Sequence, residues 1–190
     1  LFLFWITRRR EFLIYGIYVS LIVIAALVSS ELLHRYLWPG VGEMGFKFVS
    51  AASFVSGAIA SLFIGELLEL KEKSRWLWNA FRLCIGTASF LFLQAFQIDI
   101  QQTLEISILW GGSLTIFLVS VCLVSAYQGS RIGLLLTFGW AGQLAGISLL
   151  LAHNSGWMPD ILWLDYSFLL GSSVEMLFFS LAIPLGLRDV

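Results

Sequence analysis

Charge is what this sequence has least of. Asp, Glu, Lys and Arg make up 12% of its 190 residues, where a soluble domain carries about a quarter. Hydrophobic residues make up 59%, and mean hydropathy is +0.90. A single water-surrounded core cannot use that much apolar side chain, so composition excludes an ordinary soluble domain and points to an integral helical membrane protein. No basic run is long enough for nucleic acid, and the net charge is −1. Cysteine is scarce too. Cys84 and Cys122 lie in apolar stretches with no Cys or His at metal-ligand spacing, and read as small packing residues. The two histidines, His34 and His153, fall at span rims, where they read as interfacial polar residues. An intramembrane hydrolase needs a nucleophile with its base, or several ligands, at membrane depth. Neither is present, so no metal, cofactor or catalysis is expected of this chain. The last span has no lysine, which disfavours a retinal Schiff base. A start methionine is also missing: Leu1 opens inside an apolar run, as expected for a piece of a longer protein, and no signal peptide can be read.

What is there is a series of apolar runs of bilayer length. A span takes about 20 residues at 1.5 Å rise. The expected segments are 1–6 (the tail of a truncated helix), 12–33, 46–70, 76–98, 106–127, 132–152 and 162–187. The fold class is therefore an all-α integral membrane protein, a seven-helix transmembrane bundle whose first helix is incomplete, forming one domain over 1–190. Tyr36-Leu37-Trp38-Pro39 begins a turn in which Pro39, Gly40 and Gly42 stop a helix. Asp99–Glu105 reads as a polar connection, and Gln128–Arg131 as a tight turn. Glu69 and Lys73 are four apart, which predicts a weak ion pair on a helix continuing into water.

Lys and Arg set the orientation. One side holds Arg8, Arg9, Arg10, Lys71, Lys73, Arg75, Arg82, Arg131 and Arg188, and the other holds Arg35 and Lys47, nine against two. By the positive-inside rule the first set and the C-terminus are cytoplasmic. An odd number of spans then places the two flanks in different compartments, the geometry of a receptor.

One carboxylate stands out. Glu175 sits near the middle of the last apolar run, where an ionised carboxylate costs several kcal/mol, roughly 3 on translocon scales. It is either a functional group or a hydrogen-bonded packing residue; both readings are open. Gln143 and Gln94, at comparable depth, are its candidate partners. Two small-residue patterns predict close helix packing: Ser53, Gly57, Ser61 and Gly65 at every fourth position, and Gly142-x-x-x-Gly146. They would serve packing within the chain or a homodimer. Trp5, Trp38, Trp76, Trp78, Trp110, Trp157 and Trp163 fall near predicted span ends and read as interface anchors. Trp140, nearer mid-span and beside Gly139 and Gly142, reads as a core aromatic over small residues, with a pocket lined together with Gln143 as the alternative.

The Tyr36-Leu37-Trp38-Pro39 turn, together with Gly171, Glu175 and the Leu177–Ala182 run containing Ser180, resembles the bacterial 7TM receptors with diverse intracellular signalling modules. The resemblance covers nearly the whole chain. It implies a multi-pass protein of the bacterial inner membrane with a cytoplasmic C-terminus. It also implies an extracytoplasmic sensor domain before this region. After it the resemblance implies a cytoplasmic output module such as a histidine kinase, diguanylate cyclase, phosphatase or adenylyl cyclase. The family commonly continues its last helix unbroken. Here Pro184 removes a backbone donor and Gly186 adds freedom, so the pair is a candidate hinge. The alternative function is a small-solute or ion transporter or channel with Glu175 in its path, but one midplane carboxylate and a few glutamines make that path thin, and no inverted repeat is evident.

Overall fold

The computed structural model describes residues 10–29, 42–159, 164 and 166–186. All regular structure among them is helical. The elements are α1 (Arg10–Ser29), α2 (Gly42–Leu67), the single turn α3 (Leu70–Lys73), α4 (Arg75–Gln94), α5 (Ile100–Tyr127), α6 (Arg131–Asn154) and α7 (Ser167–Gly186). Five of these, α2 and α4 to α7, are long and apolar enough to cross a bilayer. Together with the large apolar side chains exposed along them, such as Phe90, Ile108, Leu109 and Leu177, they make this a multi-pass membrane protein. The helices group into two compact units, with the division inside α5, between Leu118 and Val119.

In the first unit α2 is central and packs on both α1 and α4. Phe54, Ala60, Phe63 and Ile64 of α2 are all but fully buried. Tyr15 of α1 lies over Phe63 with ring centroids 5.7 Å apart. Phe81 of α4 meets Phe117 of α5 at 5.3 Å. At one end Lys47 Nζ donates to the Ile98 carbonyl at 2.8 Å, which ties the start of α2 to the α4–α5 connection.

Gly42, expected to stop a helix, is instead the first residue of α2, four residues before the expected start, and α6 runs on to Asn154. Three further boundaries differ from expectation, each for a local reason. The second span ends at Leu67, not at 70, because Glu69 takes a left-handed conformation (φ 53°) and turns the chain into α3. The Glu69–Lys73 pair forms at 3.5 Å, but around this break instead of along a continuous helix. Lys73 also donates to the Leu68 carbonyl at 3.1 Å. Ser74 then caps α4, its Oγ accepting from Leu77 N. That helix stops at Gln94 rather than 98, and α5 starts at Ile100 rather than 106. The supposed polar connection is thus mostly helix. Asp99 Oδ2 accepts from Gln101 N at 3.2 Å, and Gln101 Nε2 donates to Glu105 Oε1 one turn on. Gln101, Gln102 and Glu105 are simply the exposed face of the first turns, while Thr103 is buried and donates to the Asp99 carbonyl.

The early start of α5 changes the reading of Trp110. It lies about 15 Å into the helix, not at its end. Its ring meets Phe54 edge-on at 5.4 Å, and its Nε1 donates to Thr87 Oγ1 at 3.3 Å. Trp110 is a packing residue. Trp76 and Trp157 are highly exposed, as interface anchors would be, whereas the Trp78 ring covers Gly65. Trp5, Trp38 and Trp163 lie outside the described residues.

Candidate functional site

The second unit is dominated by α6 packed antiparallel on α7. A tight turn with Gly129 at φ 89° leads into Ser130, whose Oγ accepts from Gly133 N at 3.1 Å and starts α6. Along α6, Gly139, Gly142 and Gly146 face α7. A Cβ on Gly146 would stand 2.5 Å from the Ser167 carbonyl oxygen and 3.0 Å from Gly171 Cα. One on Gly171 would stand 2.8 Å from the Gly142 carbonyl oxygen and 3.3 Å from Gln143 Cα. One on Gly139 would meet the Phe179 ring at 3.0 Å and the Glu175 carbonyl oxygen at 3.3 Å. Backbone therefore meets backbone where Gly146 and Gly171 cross, which only glycine allows, while the Val174 side chain fills the space at Gly142 and the Phe179 ring that at Gly139.

Glu175 lies in this seam with 0% exposure. Trp140 and Gln143 flank the glycines on α6, and Ser172 precedes Glu175 by one turn on α7; all three are buried. The Trp140 ring meets Phe179 edge-on at 6.1 Å. Trp140 Nε1, Gln143 Oε1 and Ser172 Oγ are enclosed and make no hydrogen bond among the described residues. Leaving such groups unsatisfied costs about 1–3 kcal/mol each. The seam thus carries a donor, an acceptor and a hydroxyl with unused capacity beside a fully buried carboxyl group.

Of the residues expected to act with Glu175, the fold brings Gln143 into the same seam. Gln94 is half-buried at the end of α4, in the other unit. Ser180 is exposed and donates to its own helix, to the Leu177 carbonyl at 2.7 Å. Five residues turn a helix by about 140°, so Ser180 cannot share the Glu175 face. Pro184 lies inside α7, which continues to Gly186; its missing N–H leaves the Ser180 carbonyl without the usual donor. The Tyr36-Leu37-Trp38-Pro39 turn lies outside the described residues. Gly139, legible in the sequence only as a small neighbour of Trp140, and Ser172 also belong to the seam. Their signals were present as Gly139-x-x-Gly142-x-x-x-Gly146, and as Ser172 one turn before Glu175.

The other small-residue stripe is used differently from expectation. No backbone enters it; large side chains do. A Cβ on Gly57 would meet the Trp110 ring and Leu114 at 2.7 Å, and one on Gly65 would meet the Trp78 ring at 3.1 Å. Ser61 is buried and bonds to the Gly57 carbonyl, while Ser53 is exposed and bonds to the Ser50 carbonyl.

No curated protein and no solved structure matches the chain. A family model described as 7TM diverse intracellular signalling matches residues 1–184. That match covers the seam, four of the described spans in full and the fifth up to Pro184, and the chain belongs to the 7TM diverse intracellular signalling family.

Proposed function

We propose that this chain is the membrane core of a receptor. It couples an extracytoplasmic sensory input to a cytoplasmic output module of the kinase or cyclase type, in a bacterial inner membrane with its C-terminus inside. The chain has no catalysis of its own in this reading. Family membership and the nine-against-two distribution of Lys and Arg support the orientation. The observation that carries the mechanism is the α6–α7 seam: glycine-lined, holding a fully buried Glu175, and with the polar atoms of Trp140, Gln143 and Ser172 unspent.

A switch needs two packings within a few kcal/mol of each other. Glycine seams permit small sliding of one helix on another, because at Gly146 and Gly171 main chain faces main chain and no long side chain interlocks there. A slide of α7 by part of a turn would change what surrounds Glu175, and would bring Gln143 Oε1, Ser172 Oγ and the Trp140 indole within reach of new partners. The unused capacity then favours the second state and offsets the loss of contacts in the first. Pro184 and Gly186 follow the seam and form the joint through which α7 meets whatever lies beyond it. Both small-residue stripes are filled within the chain, so this reading rests on no homodimer.

The test is limited proteolysis of the native gene product from each side of oriented membrane vesicles. A protease-resistant module on each side supports the receptor. A product with no folded module on either side overturns it, and flux measurements in liposomes would then take over.

A further inference from the structure

Outside the seam, one face of α4 combines an apolar groove with cationic charge that no described carboxylate pairs with. The helix turns 100° per residue, so Arg75, Asn79, Arg82, Gly86, Ser89 and Leu93 fall within one stripe about 80° wide. All six are exposed. No carboxylate among the described residues pairs with Arg75 or Arg82; the ion pair nearby is Glu69–Lys73. Arg82 is about 10 Å into a helix of membrane-spanning length, the least buried of the five, whose open face meets lipid. Such a charge must reach back to the headgroup level. There Arg75 and the Asn79 amide lie beside it, with Trp76 highly exposed next to them.

Deeper along the stripe, Gly86 has open space where a side chain would be. Ser89 and Leu93 then line a groove of about 280 Å³ with Ala88 and Phe92 of α4 and Val55 and Ala58 of α2. Its walls are almost wholly apolar. The distance from Arg82 to Ser89 is about 10 Å along the helix, and from Arg82 to Leu93 about 16 Å, the depth of one lipid leaflet.

We propose that this face binds one anionic phospholipid. Arg75, Asn79 and Arg82 take its phosphate group, and one acyl chain runs past Gly86 into the α2–α4 groove. Two arginines with no carboxylate partner select a net negative headgroup over a zwitterionic one, in which an ammonium group would oppose them. The groove holds the chain in place, which distinguishes this lipid from those that merely surround the protein.

Native mass spectrometry of the full-length protein tests this, after incubation in detergent with dioleoyl phosphatidylglycerol or dioleoyl phosphatidylcholine. The parent should retain phosphatidylglycerol selectively. Arg75→Gln and Arg82→Gln should each lower that retention about fivefold, the worth of one basic residue at an anionic surface. Arg131→Gln, at an exposed position far along the chain, should leave it unchanged. Ser89→Phe, which fills the groove, should lower it several-fold with both arginines intact. Equal retention of the two lipids by the parent, or retention unchanged in both arginine variants, overturns the proposal. A second copy of the chain covering Arg82 in place of lipid does so too. Both arginines are exposed, so their variants fold and decide the matter even if Ser89→Phe does not.

Discussion

Gly146 on α6 and Gly171 on α7 meet backbone to backbone. A Cβ on Gly146 would stand 3.0 Å from Gly171 Cα, and a Cβ on Gly171 would stand 3.1 Å from Gly146 Cα. The atoms in the way are main chain, which cannot rotate aside. Gly146→Ala and Gly171→Ala should each destabilise the protein by about 1–3 kcal/mol through overpacking. Gly86→Ala, where nothing lies within 4 Å, should be neutral or stabilising by up to about 1 kcal/mol from helix propensity. Unfolding by sodium dodecyl sulfate in mixed micelles measures all three.

Gly57 shows the other way a glycine can be used. Its space is taken by the outer edge of the Trp110 ring and by Leu114. Gly57→Ala should therefore cost about 1–2 kcal/mol, and part of that cost should vanish in the Trp110→Phe background, where the ring is shorter. Trp110→Phe alone loses the bond to Thr87 and should cost about 1 kcal/mol. A double-mutant cycle reads the coupling, and additive single effects would show that the two residues do not share this space.

Glu69 carries opposing terms. Its pair with Lys73 joins side chains that are 49% and 63% exposed, and is worth no more than about 1 kcal/mol. Its left-handed backbone at φ 53° costs a non-glycine residue about 1–2 kcal/mol. Glu69→Gly should thus be more stable than Glu69→Ala by about 1 kcal/mol, and close to the parent. Thermal unfolding in detergent compares the three. If the alanine variant equals or exceeds the glycine variant, the turn is not held left-handed in solution.

Lys47 fastens the start of α2 to the Ile98 carbonyl through a part-buried bond of 2.8 Å. Lys47→Met keeps the stem and removes the donor. Hydrogen exchange should rise in residues 95–99 and stay unchanged in α6 and α7, with a stability loss of about 1.5–3 kcal/mol for a charged hydrogen bond.

Much of this was legible in the sequence, and the limits are physical. Bilayer-length apolar runs fix helices because lipid leaves the backbone no other way to satisfy itself. That argument is blind to ends lying in water, which is why α5 began six residues before its apolar run did. Asp99 capped it, and Gln101 and Glu105 found each other one turn apart. It also missed Glu69, where a left-handed turn replaced a continuing helix. Small-residue spacing located both stripes but could not say what fills them: main chain at Gly146, the Val174 side chain at Gly142, aromatic rings at Gly57 and Gly65. Glu175 was conspicuous from the first reading, since a carboxylate in an apolar run has few reasons to be there. From the sequence Trp140 reads only as a mid-span core aromatic and Ser172 as an ordinary helix residue; the packing of α6 on α7 is what shows that their polar atoms are enclosed.

The central claim is that Glu175 holds one of two packings of α7. The direct test is the output of the full-length protein in native membranes, for the parent, Glu175→Gln and Glu175→Ala, across conditions that move the parent between low and high activity. The account predicts that both variants fold and insert but fix the output at one level. The Gln variant, which keeps a hydrogen-bonding group, should lie closer to the parent in stability than Ala. If all three respond alike and unfold alike, Glu175 is neither switch nor support, and the seam is packing alone.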